Sequence, residues 1–351
     1  PPSGVLGIET TESTTCAGGL ALYRAPTCSS AFAWASGNQG RARCSVDGLT
    51  GPGQPAGMIF DARANCLAAG DTLFVRYWER GNNELGAFTI CAYDAVPPTN
   101  DDPCGAITLT PSTTCTPVEF STQNATPNAR WLTVDAPGCG VVAGTPAQSN
   151  ALIRDLWFQV TVPTGGMTVT TEAGTLTDMA MAFYRPSTSP APTLCAPPPA
   201  CTAPPGAQTQ WPGSLQLVTG SCADNQSAAN RMPRVNLATT PSGPLVVGET
   251  IYIRVWNRPT AQFNYSGTFR ICVVPKVPPV NDNPCGAIPL DVNADCLMMA
   301  ATNENATTTG TSFLPGASTA QAPSCGITPA STGPATDDVW FTVDVPGDMS
   351  T

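Results

Sequence analysis

One junction occurs twice in the chain, and its spacing limits the fold more than any other feature. Val96-Pro97-Pro98-Thr99-Asn100-Asp101-Asp102-Pro103-Cys104-Gly105-Ala106-Ile107-Thr108-Leu109 returns as Val277-Pro278-Pro279-Val280-Asn281-Asp282-Asn283-Pro284-Cys285-Gly286-Ala287-Ile288-Pro289-Leu290. The step from Asn100 to Asn281 is 181 residues. That period is too long for a solenoid unit and suits one all-β domain, so the expected architecture is an array of beads.

Composition agrees with many short strands. The 32 glycines and 37 prolines favour turns over helices, and 42% hydrophobic residues are enough to fold. A formal charge of −10, with Lys276 the only lysine, argues against a phosphate-binding face, so nucleic acid is excluded as a partner. No apolar run is long enough to span a bilayer. The first residues lack a signal peptide's basic and apolar regions, so any export signal would lie upstream of Pro1.

Residues 1–99 read as the C-terminal part of a repeat. Thr10-Thr11-Glu12 and Leu20-Ala21-Leu22-Tyr23-Arg24 match Thr170-Thr171-Glu172 and Met181-Ala182-Phe183-Tyr184-Arg185. Asp71 to Trp78 matches Glu249 to Trp256, and Gly86 to Cys91 matches Gly267 to Cys272. All three alternate apolar and polar residues at period two, which predicts strands. Residues 100–280 form one complete repeat, with strands predicted at 106–109, 155–162, 167–171, 179–184, 214–219, 249–257 and 267–274, and a proline-rich surface loop at 196–213. Such a series predicts antiparallel β-sandwich or jelly-roll-like domains in tandem.

Residues 281–351 repeat the N-terminal part of the unit, with Asp338 to Pro346 matching Asp155 to Pro163. The tail followed by the head would therefore compose one further domain. Each part alone leaves sheet edges unpaired. Either the polypeptide continues or a neighbouring copy completes it, the second case being head-to-tail complementation into an open fibre. The strand around Val5 to Thr11 is expected to pair with a neighbour's strand ending near Thr351.

Fifteen cysteines without a histidine or a Cys-x-x-Cys pair predict disulfides and an oxidising, extracellular location. Cys91, Cys104 and Cys115 recur as Cys272, Cys285 and Cys296; Cys139 recurs as Cys325, and Cys28 and Cys44 as Cys195 and Cys222. The expected bridges join sequence neighbours: Cys28 to Cys44, Cys195 to Cys222, Cys115 to Cys139, Cys296 to Cys325, Cys91 to Cys104 and Cys272 to Cys285. Cys16 and Cys66, without counterparts, would pair with each other and leave Cys201 over.

Asp101, Asp102 and Asp282 at the junctions could offer oxygen ligands to Ca²⁺, and an Asx turn explains the same residues. Asp178 with Asp224 and Asn225 is a second such cluster. The sequons at Asn124 and Asn305 occupy one repeat position as candidate glycosylation sites, where a turn is the alternative; others start at Asn225 and Asn264. The absence of histidine removes Ser-His-Asp, Cys-His and His-metal catalysis. Glu12 and Glu172 share a register in threonine-rich strands, where a solvated face accounts for them. The chain is not expected to be an enzyme.

The ordered series Asn-Asp-x-Pro-Cys-Gly-Ala-Ile-x-Leu, Asp-(Leu/Val)-Trp-Phe-x-Val-x-Val-Pro, Tyr-Ile-Arg-Val-Trp and Gly-Thr-Phe-x-Ile-Cys-Val resembles the tandem β-sandwich repeats of large secreted bacterial surface proteins, related in pattern to the prepilin-peptidase-C-terminal type of domain. The resemblance implies adhesion, filament or matrix roles at the cell surface, with calcium bound in some relatives. Two functions follow as expectations. One is an extracellular structural protein of end-to-end domains in a fibre, stalk or filament, with copies of itself or adjacent repeats as partners. The other is an adhesin module whose exposed Trp34 or Trp211 contacts a surface glycan or protein.

Overall fold

The computed structural model describes residues 4–12, 18–24, 27–29, 33–34, 44–45, 57–61, 70–79, 86–126, 133–135, 137–140, 154–186, 214–227, 229–239, 244–258, 266–293, 295–303, 305–306 and 338–344. The fold is all-β: among the described residues the only helical turns are single 3-10 turns at Pro103–Gly105 and Pro284–Gly286. No helix among them is long and apolar enough to cross a membrane. Two compact units are present, one of residues 1–160, 169–236 and 250–273, the other of 161–168, 237–249 and 274–351.

In the first unit, β1 (Val5–Glu12) lies between β5 (Gly57–Asp61) and β7 (Phe88–Asp94), antiparallel to both. A second sheet gathers β3 (Ala33–Trp34), β4 (Cys44–Ser45) and β6 (Leu73–Glu79) around β2 (Gly18–Arg24). Their apolar faces meet at Ile8, Leu20, Leu22, Met58 and Phe60. The expected role of the Val5–Thr11 strand is overturned here, since hydrogen-bonded partners already occupy both its edges.

A six-stranded sheet follows. Its order is β10 (Thr133–Val134), β14 (Ser214–Leu217), β13 (Met179–Pro186), β16 (Thr250–Asn257), β11 (Asp155–Thr161) and β8 (Ile107–Thr108). A four-stranded sheet runs β15 (Arg234–Ala238), β12 (Gly166–Ala173), β17 (Thr268–Pro275) and β9 (Val118–Ser121). The two pack through Phe158 of β11 against Phe120 and Phe269, with ring centroids 4.8 and 6.3 Å apart. The strand β13 is buried on both faces, because a second cluster of Trp157, Ala180, Ala182, Tyr184, Leu215 and Trp256 covers its other side.

In the second unit, β18 (Ile288–Leu290) pairs in parallel with β19 (Phe341–Val343).

Pairing registers recur between segments. Ala21 faces Arg76 across β2 and β6 as Ala182 faces Arg254 across β13 and β16. Leu20 faces Ser45 as Met181 faces Ala223. Ile288 faces Phe341 as Ile107 faces Phe158.

Candidate functional site

The repeated junction is a clamp on one strand. Asn100 accepts from the Trp157 amide at 2.8 Å through its carbonyl and donates its side-chain amide to the Trp157 carbonyl at 3.1 Å. One asparagine thereby fixes β11 in place. Asn281 does the same to Trp340, at 2.8 and 3.1 Å. The chain then turns through Pro103–Gly105 or Pro284–Gly286, where glycine is required by a close approach. A Cβ on Gly105 would lie 1.8 Å from the Thr99 carbonyl oxygen, and one on Gly286 2.1 Å from that of Val280.

Asp101 is buried, and its two oxygens accept from the Thr126 amide and hydroxyl, each at 2.6 Å. Burial pushes its carboxyl up to about 8 against the pull of those hydrogen bonds. The Asp101 side chain thus anchors the turn that carries Thr126. Asp102 and Asp282 are half-buried beside their junctions, and no group of three potential ligands gathers among the described residues. Asp178 and Asp224 of the second expected cluster pair instead with Arg231 at 3.0 Å and Arg258 at 3.7 Å.

Asn124 and Asn305 both adopt left-handed backbone, φ 61° and 63°, which is why asparagine recurs there. The side-chain amide of Asn124 donates to the Val96 carbonyl at 3.2 Å, and its sequon's Thr126 hydroxyl is engaged by Asp101. The turn therefore accounts for this sequon without sugar. Trp34 takes its place in β3, while Trp211 lies outside the described residues. Glu12 ends β1, and Glu172 sits 3.8 Å from Arg270.

The chemical centre is a buried ion pair that sequence reasoning missed. Asp155 Oδ2 accepts from Arg254 Nε at 2.5 Å, with both side chains almost wholly inaccessible. The guanidinium lies 5.5 Å from the Trp157 ring and 5.7 Å from that of Trp256. Burial pushes the Asp155 carboxyl up to about 6 in spite of Arg254. Burial opposes the charge on Arg254 too, but Asp155 and Tyr184 hold its affinity for the proton above the ordinary value. The signal was a charged residue at an inward position of an otherwise apolar strand, Tyr252-Ile253-Arg254-Val255-Trp256, with Asp155 heading another.

The expected disulfides are corrected. Cys115 pairs with Cys272 and Cys139 with Cys222, across 157 and 83 residues. Strand adjacency explains this: Cys115 precedes β9, which pairs with the β17 strand carrying Cys272, and Cys139 follows β10, which pairs with β14 ahead of Cys222. The bridges Cys115 to Cys139, Cys195 to Cys222 and Cys272 to Cys285 are therefore not formed. Cys28, Cys91, Cys285 and Cys296 are exposed thiols, so Cys28 to Cys44, Cys91 to Cys104 and Cys296 to Cys325 are not formed either. Cys16, Cys66, Cys195, Cys201 and Cys325 lie outside the described residues.

Residues of the same types recur at the matching positions of two other segments. Arg76 stands at the Arg254 position with its guanidinium 5.9 Å from Trp78, but it is exposed. Among the described residues, no strand pairs with the other edge of β6 or of β7. A groove of about 510 Å³ is lined by Tyr23 of β2 and Phe74, Val75, Arg76 and Tyr77 of β6. The matching aspartate and tryptophan, Asp338 and Trp340, are in the tail, half-buried where Asp155 and Trp157 are buried. No protein-family model matches the chain, and no curated protein matches its sequence.

Proposed function

We propose that the chain is an extracellular structural repeat protein, built of β-sandwich repeats set end to end in a fibre, stalk or surface filament. In this reading residues 100–280 are one complete repeat, 1–99 the second part of another and 281–351 the first part of a third. The observation that carries it is the recurrence of the clamp and of the strand registers in three segments. The tail repeats the clamp and the parallel strand pair of the middle, and the head repeats its β2–β6 register, each with apolar strand residues exposed. An open strand edge with an apolar face favours completion by another strand. Whether the missing half comes from a continuing polypeptide or a neighbour, completion sets repeats head to tail.

Two disulfides among the described residues support an oxidising environment outside the cell. Surface display follows from the same reading. The test is electron microscopy of native purified material with intact mass measured on the same sample. Fibres of a uniform axial repeat support the proposal; globular particles of one chain, unchanged on concentration, would overturn it.

A further inference from the structure

One bridge of the middle segment bears on the buried ion pair. Trp256, which flanks the Arg254 guanidinium, carries the stretch 137–140 on its indole: the ring N–H donates to the Gly140 carbonyl at 3.1 Å. The approach is close. Gly140 has φ 62°, and a Cβ there would lie 2.2 Å from that of Ala180 and 3.4 Å from the Trp256 ring, so glycine is required for this backbone to lie on the sheet. Pro137 and Gly140 are buried, and Gly138 between them is exposed. Cys139 belongs to the same stretch, and its partner Cys222 packs against the cluster that contains Trp157 and Trp256.

The two ends of this bridge are held differently. Cys222 stands on a fixed post: the Ser221 hydroxyl accepts from the Phe183 amide at 3.0 Å and donates to the Val218 carbonyl at 2.6 Å, and Ala223 exchanges backbone hydrogen bonds with Met181 at 2.8 and 2.9 Å. On the Cys139 side, β10 and Asp135 are tied to β14. Beyond Asp135, the stretch 137–140 is held among the described residues by the bridge and by the one hydrogen bond from Trp256.

The centre under this stretch would gain from hydration. Asp155 Oδ1 and Trp157 Nε1 are buried and make no hydrogen bond among the described residues. A buried polar atom without a partner costs free energy that contact with water returns. Keeping the stretch seated works against that gain.

We propose that the Cys139–Cys222 bridge is a redox-sensitive latch: intact, it holds the stretch 137–140 over Trp256, and its reduction frees the stretch and admits water to the Asp155–Arg254 centre while the sheet beneath stays paired. The latch is independent of the repeat-array reading, since every residue in it belongs to the middle segment. Cys139 and Cys222 are both half-buried, within reach of a small dithiol. The dithiol's thiolate attacks one sulfur of the bridge, forming a mixed disulfide and releasing one cysteine thiolate. Its second thiol then displaces the other cysteine, and the reductant leaves as a cyclic disulfide. Two electrons and two protons pass to the cysteines, and a disulfide oxidant reverses the exchange.

The test follows hydrogen exchange at the Trp256 indole N–H by NMR of the full chain, in wild type, in Cys139→Ser/Cys222→Ser and in Cys115→Ser/Cys272→Ser. Loss of the latch should speed Trp256 exchange at least about 10-fold more than that of the β16 backbone amides, which report opening of the sheet itself. Loss of the other bridge should speed both alike. Wild type treated with dithiothreitol should show the same excess at Trp256 and lose it on reoxidation with oxidised glutathione. Gly140→Ala, with both bridges intact, should also show it, because the added methyl meets Ala180. Trp256 exchange that moves only in step with the β16 amides, in the Cys139→Ser/Cys222→Ser chain or in Gly140→Ala, would overturn the proposal. An equal excess in Cys115→Ser/Cys272→Ser would do the same.

Discussion

The same two-strand pattern occurs in two surroundings. In β13 and β16 an alanine faces an arginine that is buried, ion-paired and flanked by two tryptophans. In β2 and β6 the equivalent alanine faces an arginine that is exposed with one tryptophan beside it. The same strand register thus occurs with the arginine buried and with it exposed, and beside the buried one β11 supplies Asp155 and Trp157. A buried ion pair is costly to break because the remaining charge stays desolvated, whereas an exposed arginine keeps its water. We therefore expect Arg254→Ala to cost about 3–5 kcal/mol and Arg76→Ala under about 1 kcal/mol in the isolated chain. Urea unfolding followed by Trp fluorescence measures both. Equal losses would break the comparison.

The next effect is covalent. The middle carries Cys115–Cys272 and Cys139–Cys222, while Cys91 of the head is a free exposed thiol. Each bridge should add about 2–4 kcal/mol by restricting the unfolded chain. Reduction should then accelerate amide exchange most in β9, β10, β14 and β17, the strands that the two bridges tie. Hydrogen exchange with and without reductant would show it, and uniform acceleration would mean that the bridges do not act locally.

Much of this was legible before any coordinates. The predicted strands at 155–162, 179–184, 249–257 and 267–274 fall on β11, β13, β16 and β17, where period-two alternation or a long apolar run makes the pattern plain. The short strands β9, β10 and β15 went unpredicted, because Val118-Glu119-Phe120-Ser121 and its like are too brief and polar to stand out. Disulfide pairing was misread for a physical reason. Proximity along the chain is a poor guide once strands from distant segments lie side by side. The Asp155–Arg254 pair was visible only as two positions conserved between the repeats of this one chain, and neither its depth nor its partners follow from a register of letters.

A third contrast is in proton binding. Asp101 holds its proton up to about pH 8 and Asp155 up to about 6, each above the free carboxyl value because of burial. Between the free and folded values the folded chain binds a proton that the unfolded chain has lost. Stability is therefore fully present below about pH 4 and falls as pH rises through those folded values. We expect the middle repeat to be at least about 1 kcal/mol more stable near pH 5 than near pH 8. Asp101→Asn should flatten that dependence, and a pH profile of the melting temperature that rises over this range would contradict the assignment.

The smallest contrast separates the two left-handed asparagines. Asn124 donates to the Val96 carbonyl at 3.2 Å, while the Asn305 side chain makes no hydrogen bond among the described residues. Glycine relieves positive φ at both positions and adds similar freedom to the unfolded chain. The backbone terms therefore cancel in the comparison, leaving the one hydrogen bond. Asn124→Gly should cost about 0.5–1.5 kcal/mol more than Asn305→Gly. Equal changes in melting temperature would show that asparagine recurs here for its backbone alone, with the Val96 contact contributing nothing to the turn.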